Sequence, residues 1–160
     1  MEVTYHPIGT IHSPFRDPAA MPIQPTSEAS RPGTIEIDAP YVAGLSDLDG
    51  FSHVILLYHM HAVAGPALTV TPFLDTRPRG LFATRAPTRP NPIGLSVVEL
   101  VRITGNVLHV NDLDVLDQTP LLDLKPFVPE FDHRSDCRIG WLEGKEKGGL
   151  SDDRFGSGGA

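Results

Sequence analysis

Cysteine is nearly absent from this 160-residue chain: the single Cys137 excludes an internal disulfide framework and a cysteine-based zinc cluster. It reads as a spectator thiol, in keeping with a reducing compartment. Long apolar runs are missing too. No stretch approaches the ~18 apolar residues that a membrane span needs, and the opening Met1-Glu2-Val3-Thr4-Tyr5 lacks the basic-then-apolar layout of a secretory leader. The expectation is a soluble, cytoplasmic protein without membrane association. Positive charge is scarce: 13 Lys and Arg stand against 20 Asp and Glu, for a net charge of −7. Phosphate binding is dominated by Lys and Arg, so the surface as a whole is excluded as a nucleic-acid footprint and any such site must be local. No glycine-rich phosphate loop follows an apolar run, which argues against a Rossmann-type cofactor site. Ser13 and Ser96 lack the setting of a nucleophile elbow, so hydrolase chemistry has no support.

What the chain has in excess is turn formers, with 16 Pro and 15 Gly scattered between short apolar runs. At this length one core fits and two do not. Alternating or apolar runs bounded by Gly, Pro or Asp predict strands at Ile8–Ser13, Thr34–Ile37, Val54–His61, Leu68–Thr71, Gly80–Thr84, Ser96–Ile103, Val107–Val110 and Leu121–Lys125. Gly105-Asn106 is a favoured pair for a two-residue hairpin loop and joins two of these runs. Tyr41, Val42, Leu45 and Leu48 space one short helix between Pro40 and Asp49. Many short strands with almost no helix predict a mainly β fold, a small and mostly antiparallel β-barrel with one or two short helices. Residues 17 to 32 hold four prolines and read as a structured loop. The domain is expected to span residues 1–143, with 144–160 as a flexible Gly-rich tail outside the fold.

Two segments concentrate chemistry. Asp75 to Gly94 carries Arg77, Arg79, Arg85 and Arg89, four of the thirteen basic residues, and stiffens them with Pro87, Pro90 and Pro92. Planar guanidinium groups grip phosphate or carboxylate at two points, and the Asn91 amide matches an adenine edge. A charged surface loop with internal salt bridges is the alternative. Asn111 to Asp132 sets Asp112, Asp114, Asp117 and Asp123 among apolar neighbours. If 110–116 is one strand, Asp112 and Asp114 share a face, where carboxylates hold ligand hydrogens or accept a proton. Asp117-Gln118-Thr119-Pro120 reads equally as an Asx-type turn. His53, His59 and His61 are evenly spaced, but the apolar run between them reads as core, so pocket-wall histidines are preferred to a metal site.

IGTIHSPF, LDGFSHVILLYHMH, GLFATRAPTRPNPIGLSVVEL and LDVLDQTPLLDLKPFVPEFD, in that order from about Ile8 to Asp132, resemble the TrmO/YaeB (TsaA-like) family. The resemblance implies a small, usually dimeric β-barrel. It also implies use of S-adenosyl-L-methionine to methylate N6 of threonylcarbamoyladenosine beside the tRNA anticodon, with a weak or transient hold on the anticodon loop. By similarity the cofactor is expected on Pro22, Ile23 and Gln24, on His61 and Ala62, on Arg85, Ser96 and Val97, and on Leu113, Asp114, Val115 and Leu116. Asp117, Thr119, Arg89 and Asn91 would border the reacting adenosine, with Asp114 or Asp117 as proton acceptor and Arg89 and Asn91 as positioning groups. A related methyltransferase with another small or nucleotide substrate, and a non-catalytic cofactor-binding protein, are the rival readings. Gln118 stands where the family commonly has Gly and Ile23 where it commonly has Arg, and longer bacterial members carry an additional C-terminal domain.

Overall fold

A computed structural model describes residues 1–19, 21–22, 31–145 and 155. Eight strands are observed among them: β1 Gly9–His12, β2 Arg31–Ile37, β3 His53–His59, β4 Thr69–Val70, β5 Arg79–Gly80, β6 Ile93–Thr104, β7 Val107–Leu113 and β8 Thr119–Pro126. Six close into a barrel in the order β1-β2-β7-β6-β3-β8, every neighbour antiparallel, while β4 and β5 pair as a small flap. The mainly β antiparallel barrel expected from the run lengths is the fold. Of the run at Gly80–Thr84, only Gly80 lies in a strand, and Leu81–Ala83 winds into a 3₁₀ turn.

Period-2 alternation fills the barrel. Val54 and Leu56 of β3, Val98 and Leu100 of β6, Leu108 and Val110 of β7, Ile35 and Ile37 of β2, Ile11 and Leu121 point inward and are buried. Each contributes about 1.5–3 kcal/mol for full burial. The odd-numbered residues of β3, and of β6 as far as Val101, point outward instead; a register shift between Leu100 and Arg102 then turns Ile103 back onto the core. Gly105 turns the β6–β7 hairpin at φ +62° with Thr104 paired to Val107, as a glycine-first two-residue loop requires.

The helix expected at Pro40–Asp49 is two 3₁₀ pieces, Ala39–Leu45 and Leu48–Gly50. Asp47 separates them in the left-handed region at φ 64°, which ends the first turn before an α-helical period establishes itself. No helix among the described residues is long and apolar enough to cross a membrane. Phe155, inside the stretch read as a tail, packs edge-on against Phe73 at 5.2 Å, and its carbonyl accepts the Ala64 N–H at 3.1 Å. That residue is part of the packed structure.

Candidate functional site

The antiparallel register puts the ends of β3 and β7 and the starts of β6 and β8 at one mouth of the barrel. Three stretches of described chain meet at that mouth: residues 13–19 with 21–22, 60–92 and 114–118. A cavity of about 750 Å³ opens among them. Tyr58, His61 and Ala62 line it from the end of β3 and the turn after it, Phe82 to Pro87 from the arginine-rich loop, Asp114, Val115 and Leu116 from the β7–β8 connection, and Thr119 from the start of β8. Its size falls in the ~300–1,000 Å³ range of small-molecule sites, and the lining is mostly apolar with a few convergent polar groups.

The polar groups form a chain. Ser96 Oγ, on the inward face of β6 and 1% exposed, donates to Asp114 Oδ1 at 2.6 Å, and the Tyr58 hydroxyl lies 3.0 Å from the same Ser96 oxygen. With its own proton committed to Asp114, Ser96 must accept from Tyr58. Burial pushes the Asp114 carboxyl up to about 6, against the lowering effects of the Ser96 bond, a backbone bond and the Arg85 charge. Burial and the neighbouring Asp114 charge push Tyr58 up as well, so it stays a neutral donor. His61 is held on the opposite side, its Nδ1 3.3 Å from Thr119 Oγ1, which donates to the Leu116 carbonyl at 2.7 Å. Burial, then the charge of His59, lowers the His61 pKa, which favours the neutral ring.

Of the residues named from sequence, Pro22, His61, Ala62, Arg85, Asp114, Val115 and Leu116 line the cavity. Ser96 stands directly behind Asp114, Leu113 is fully buried in the barrel core, and Val97 lies on the outer side of β6 beside Ile55. Ile23 and Gln24 lie outside the described residues. Asp117 is turned toward β1: its Oδ1 accepts the Ser13 N–H at 3.0 Å, and its own N–H donates to the Phe15 carbonyl at 2.7 Å. Burial tends to raise the Asp117 pKa, but the bonds from Ser13 and Gln118 and the His12 charge outweigh it and leave it lowered. Arg89 donates from one Nη to the carbonyls of Thr84 and Ala86 at 3.1 and 3.2 Å, bracing the loop from within. Asn91 is exposed on the approach to β6, its carbonyl taking the Ile93 N–H at 2.8 Å.

Asp112 and Asp114 do not share a face. The strand ends at Leu113, and a register shift against Arg31–Gly33 coincides with Asp112 at φ 60°, so Asp112 is exposed while Asp114 turns into the cavity. The three histidines separate likewise. His53 sits at the far end of β3, and His61 follows the strand in a turn. No group of three metal-binding side chains occurs among the described residues. The arginine-rich segment divides its work: Arg79 grips buried Asp75 at 2.6 and 2.9 Å, holding that carboxyl well below the usual range, while Arg77 and Arg85 are exposed.

Sequence reading missed Tyr58, Phe82, Trp141 and Phe155 in the lining. Tyr58 had a signal, a lone hydroxyl ending the apolar run of β3. Trp141 had none, because β8 carries the chain to the far mouth of the barrel and only the return of 127–141 brings the indole back. There its Nε1 donates to the Ala83 carbonyl at 2.7 Å.

A family model described as the tRNA-methyltransferase O N-terminal domain matches residues 10–133. The chain is 52% identical over 141 residues to a probable S-adenosyl-L-methionine-binding protein of Pyrococcus abyssi, covering 88% of this chain and 77% of that one. It is 37% identical over 149 residues to the tRNA (adenine(37)-N6)-methyltransferase of Escherichia coli K12, covering 87% of this chain and 63% of that one. The crystal structure of TrmO from Pseudomonas aeruginosa superposes with a TM-score of 0.73 at 39% identity, covering 88% of this chain and 63% of that chain. The chain therefore spans less than two thirds of the length of these last two relatives.

Proposed function

The chain belongs to the tRNA-methyltransferase O N-terminal domain family of S-adenosylmethionine-dependent methyltransferases, and from that premise we propose that it methylates N6 of threonylcarbamoyladenosine next to the tRNA anticodon. The observation that carries the reading is the half-buried Asp114 at the wall of the cavity, hydrogen-bonded by Ser96 and free of any salt bridge among the described residues. A carboxylate that suffers from desolvation favours a ligand with positive charge, and S-adenosylmethionine brings a sulfonium and an ammonium. The apolar lining suits the rest of the cofactor, and Arg85 at the rim suits its carboxylate. These residues fit the group. Pro22, Ile23, Gln24, His61, Ala62, Val115 and Leu116 would complete its site, with Ser96, Val97 and Leu113 supporting the wall from behind.

Bound there, the cofactor supplies an already activated methyl group. The protein's own task is then alignment, exclusion of water and removal of one proton. Asp114 would take the N6 proton on its carboxylate, since the Asp117 carboxylate is committed to the Ser13 N–H. Arg89 would act by holding the carbonyls of its loop, so that Arg85 and the backbone near Asn91 keep their place against the anticodon loop. Residues 1–143 would form the body of the catalytic unit, with Phe155 adding to the lining of its cavity. Work on tRNA would place the protein in the cytoplasm, and the outer apolar face of β3 and β6 would be covered by a second copy.

The test is incubation with S-adenosylmethionine and tRNA from cells that lack this methylation, followed by mass spectrometry of the nucleosides. A gain of one methyl on threonylcarbamoyladenosine is expected. Cofactor binding with no such gain would overturn the substrate assignment and favour another methyl acceptor or a binding role.

A further inference from the structure

Phe82 is 75% exposed, yet the backbone that carries it is hydrogen-bonded on both sides. It occupies the centre of the 3₁₀ turn Leu81–Ala83, and its neighbour Leu81 is sunk to 1% exposure in a small core with Val70 and Ala86. The turn is fastened on both sides of the ring. The Leu81 N–H donates to the Leu68 carbonyl at 2.9 Å, and the Ala83 carbonyl accepts the Trp141 indole N–H at 2.7 Å. Thr84 closes the turn on the Leu81 carbonyl through both its N–H, at 3.0 Å, and its hydroxyl, at 2.8 Å.

One face of the ring is already taken. The Arg89 guanidinium carbon lies 5.7 Å from the ring centroid, and that guanidinium is itself pinned to the Thr84 and Ala86 carbonyls. No other ring or cation contact to Phe82 is found among the described residues. The ring borders the cavity that holds Asp114, and the exposed Arg85 lies three positions along the same loop. Lone exposed aromatics need no explanation in general. Here the backbone is locked, a cation backs the π face, and the ring stands at the rim of a site with a half-buried carboxylate inside.

We propose that Phe82 is a base-stacking platform, on which the purine of the target nucleotide lies against the face opposite Arg89. Every nucleobase has a π face, and aromatic side chains hold unpaired bases by stacking, strengthened by nearby guanidinium charge. A pre-fastened ring spends little conformational entropy in doing so. The arrangement explains how an acidic protein grips an anionic polymer: local arginines meet phosphate and one aromatic meets the base. The inference rests on the RNA reading of the site above and names the residue that would hold the splayed base.

The test uses an anticodon stem-loop RNA with 2-aminopurine at the target position, titrated into the full-length protein with S-adenosylmethionine present. This base lacks the amino group to be methylated, and its fluorescence falls when it stacks on an aromatic ring. Strong quenching is expected with the wild type and with Phe82→Trp. Phe82→Leu, which keeps the apolar bulk, should bind the RNA about tenfold more weakly, equivalent to ~1.4 kcal/mol, and lose most of the quenching. Its melting temperature should match the wild type, and both RNA titrations are run at saturating S-adenosylmethionine. Wild-type RNA binding and quenching that Phe82→Leu reproduces, or no RNA binding at all, would each overturn the platform. The two readings separate cleanly. Phe82-dependent quenching without methylation of any tRNA retains the platform and removes the reaction, while methylation with an unchanged KM in Phe82→Leu does the reverse.

Discussion

Asp114 shows how one residue's surroundings set its chemistry. Its carboxyl rises from 3.8 to about 6 because burial penalises the charge, and the Ser96 hydroxyl at 2.6 Å recovers part of the loss. Near neutral pH the group is charged but still basic enough to accept a proton. If it is the acceptor, kcat/KM should climb as pH rises through about 6 and level off above. Ser96→Ala removes a bond that favours the charged form, so the inflection should move to higher pH. Profiles that are flat from pH 5 to 8 in both proteins would dismiss Asp114 as the base. Stability runs the opposite way. A carboxyl whose folded pKa is raised contributes stability below its unfolded value, and that contribution is lost as pH rises through about 6, a swing of up to about 3 kcal/mol. Asp114→Asn should therefore melt higher than the wild type at pH 8, in a calorimetric scan, while losing most of its transfer rate. Gln118 is a second residue whose setting is informative. It holds φ 62°, a region that favours glycine, and its amide reaches the His12 ring at 3.0 Å. A glycine would take up that backbone turn without strain.

At the scale of elements, β3 and β6 act as one unit. Tyr58 pairs with Gly94 across the ladder, and a Cβ at Gly94 would collide with the Tyr58 ring. The glycine lets that ring lie across the backbone of β6 and reach Ser96, two positions further along the strand. Gly94→Ala is therefore expected to destabilise the protein by about 1–3 kcal/mol, in line with overpacking elsewhere. It should also raise the pH of the kcat/KM inflection by disturbing the Tyr58–Ser96 contact. Chemical denaturation measures the first effect, and an unchanged midpoint would show that the ring has room to move. The end of β7 shows another element-level device. The irregularity at Asp112 re-aims the chain by one residue, which takes Asp112 out to solvent and sends Asp114 into the cavity.

For the whole molecule, closure of six strands abolishes the edges of the sheet but leaves an outer surface to be managed. Ile55 pairs with Val97, Leu57 with Leu95 and His59 with Ile93, all on the outward face, and Leu95 and Ile93 are 50% and 41% exposed. A continuous apolar strip of this kind marks an interface more often than a solvated wall. A symmetric pairing of two copies would bury it. Wild-type protein is expected to run as a dimer in light scattering, and Leu95→Glu as a monomer with an intact far-ultraviolet spectrum. A monomeric wild type would remove the proposal.

The β class, seven of the eight strand positions, the β6–β7 hairpin and the family were legible in the sequence, because period-2 alternation, turn chemistry and long ungapped motifs are local properties of the chain. The pocket positions of Asp114, Arg85 and His61 followed from those motifs. Other features were decided only by closure of the barrel. Neighbouring aspartates were separated by a shift in register, and Asp117 was claimed by Ser13, over a hundred positions away and just past the end of β1. Trp141 and Phe155 were brought to the cavity by a chain that leaves the barrel at one mouth and returns to the other. Such placements depend on pairing between distant segments. Local propensity carries no record of which backbone group will meet a given side chain once the sheet has closed.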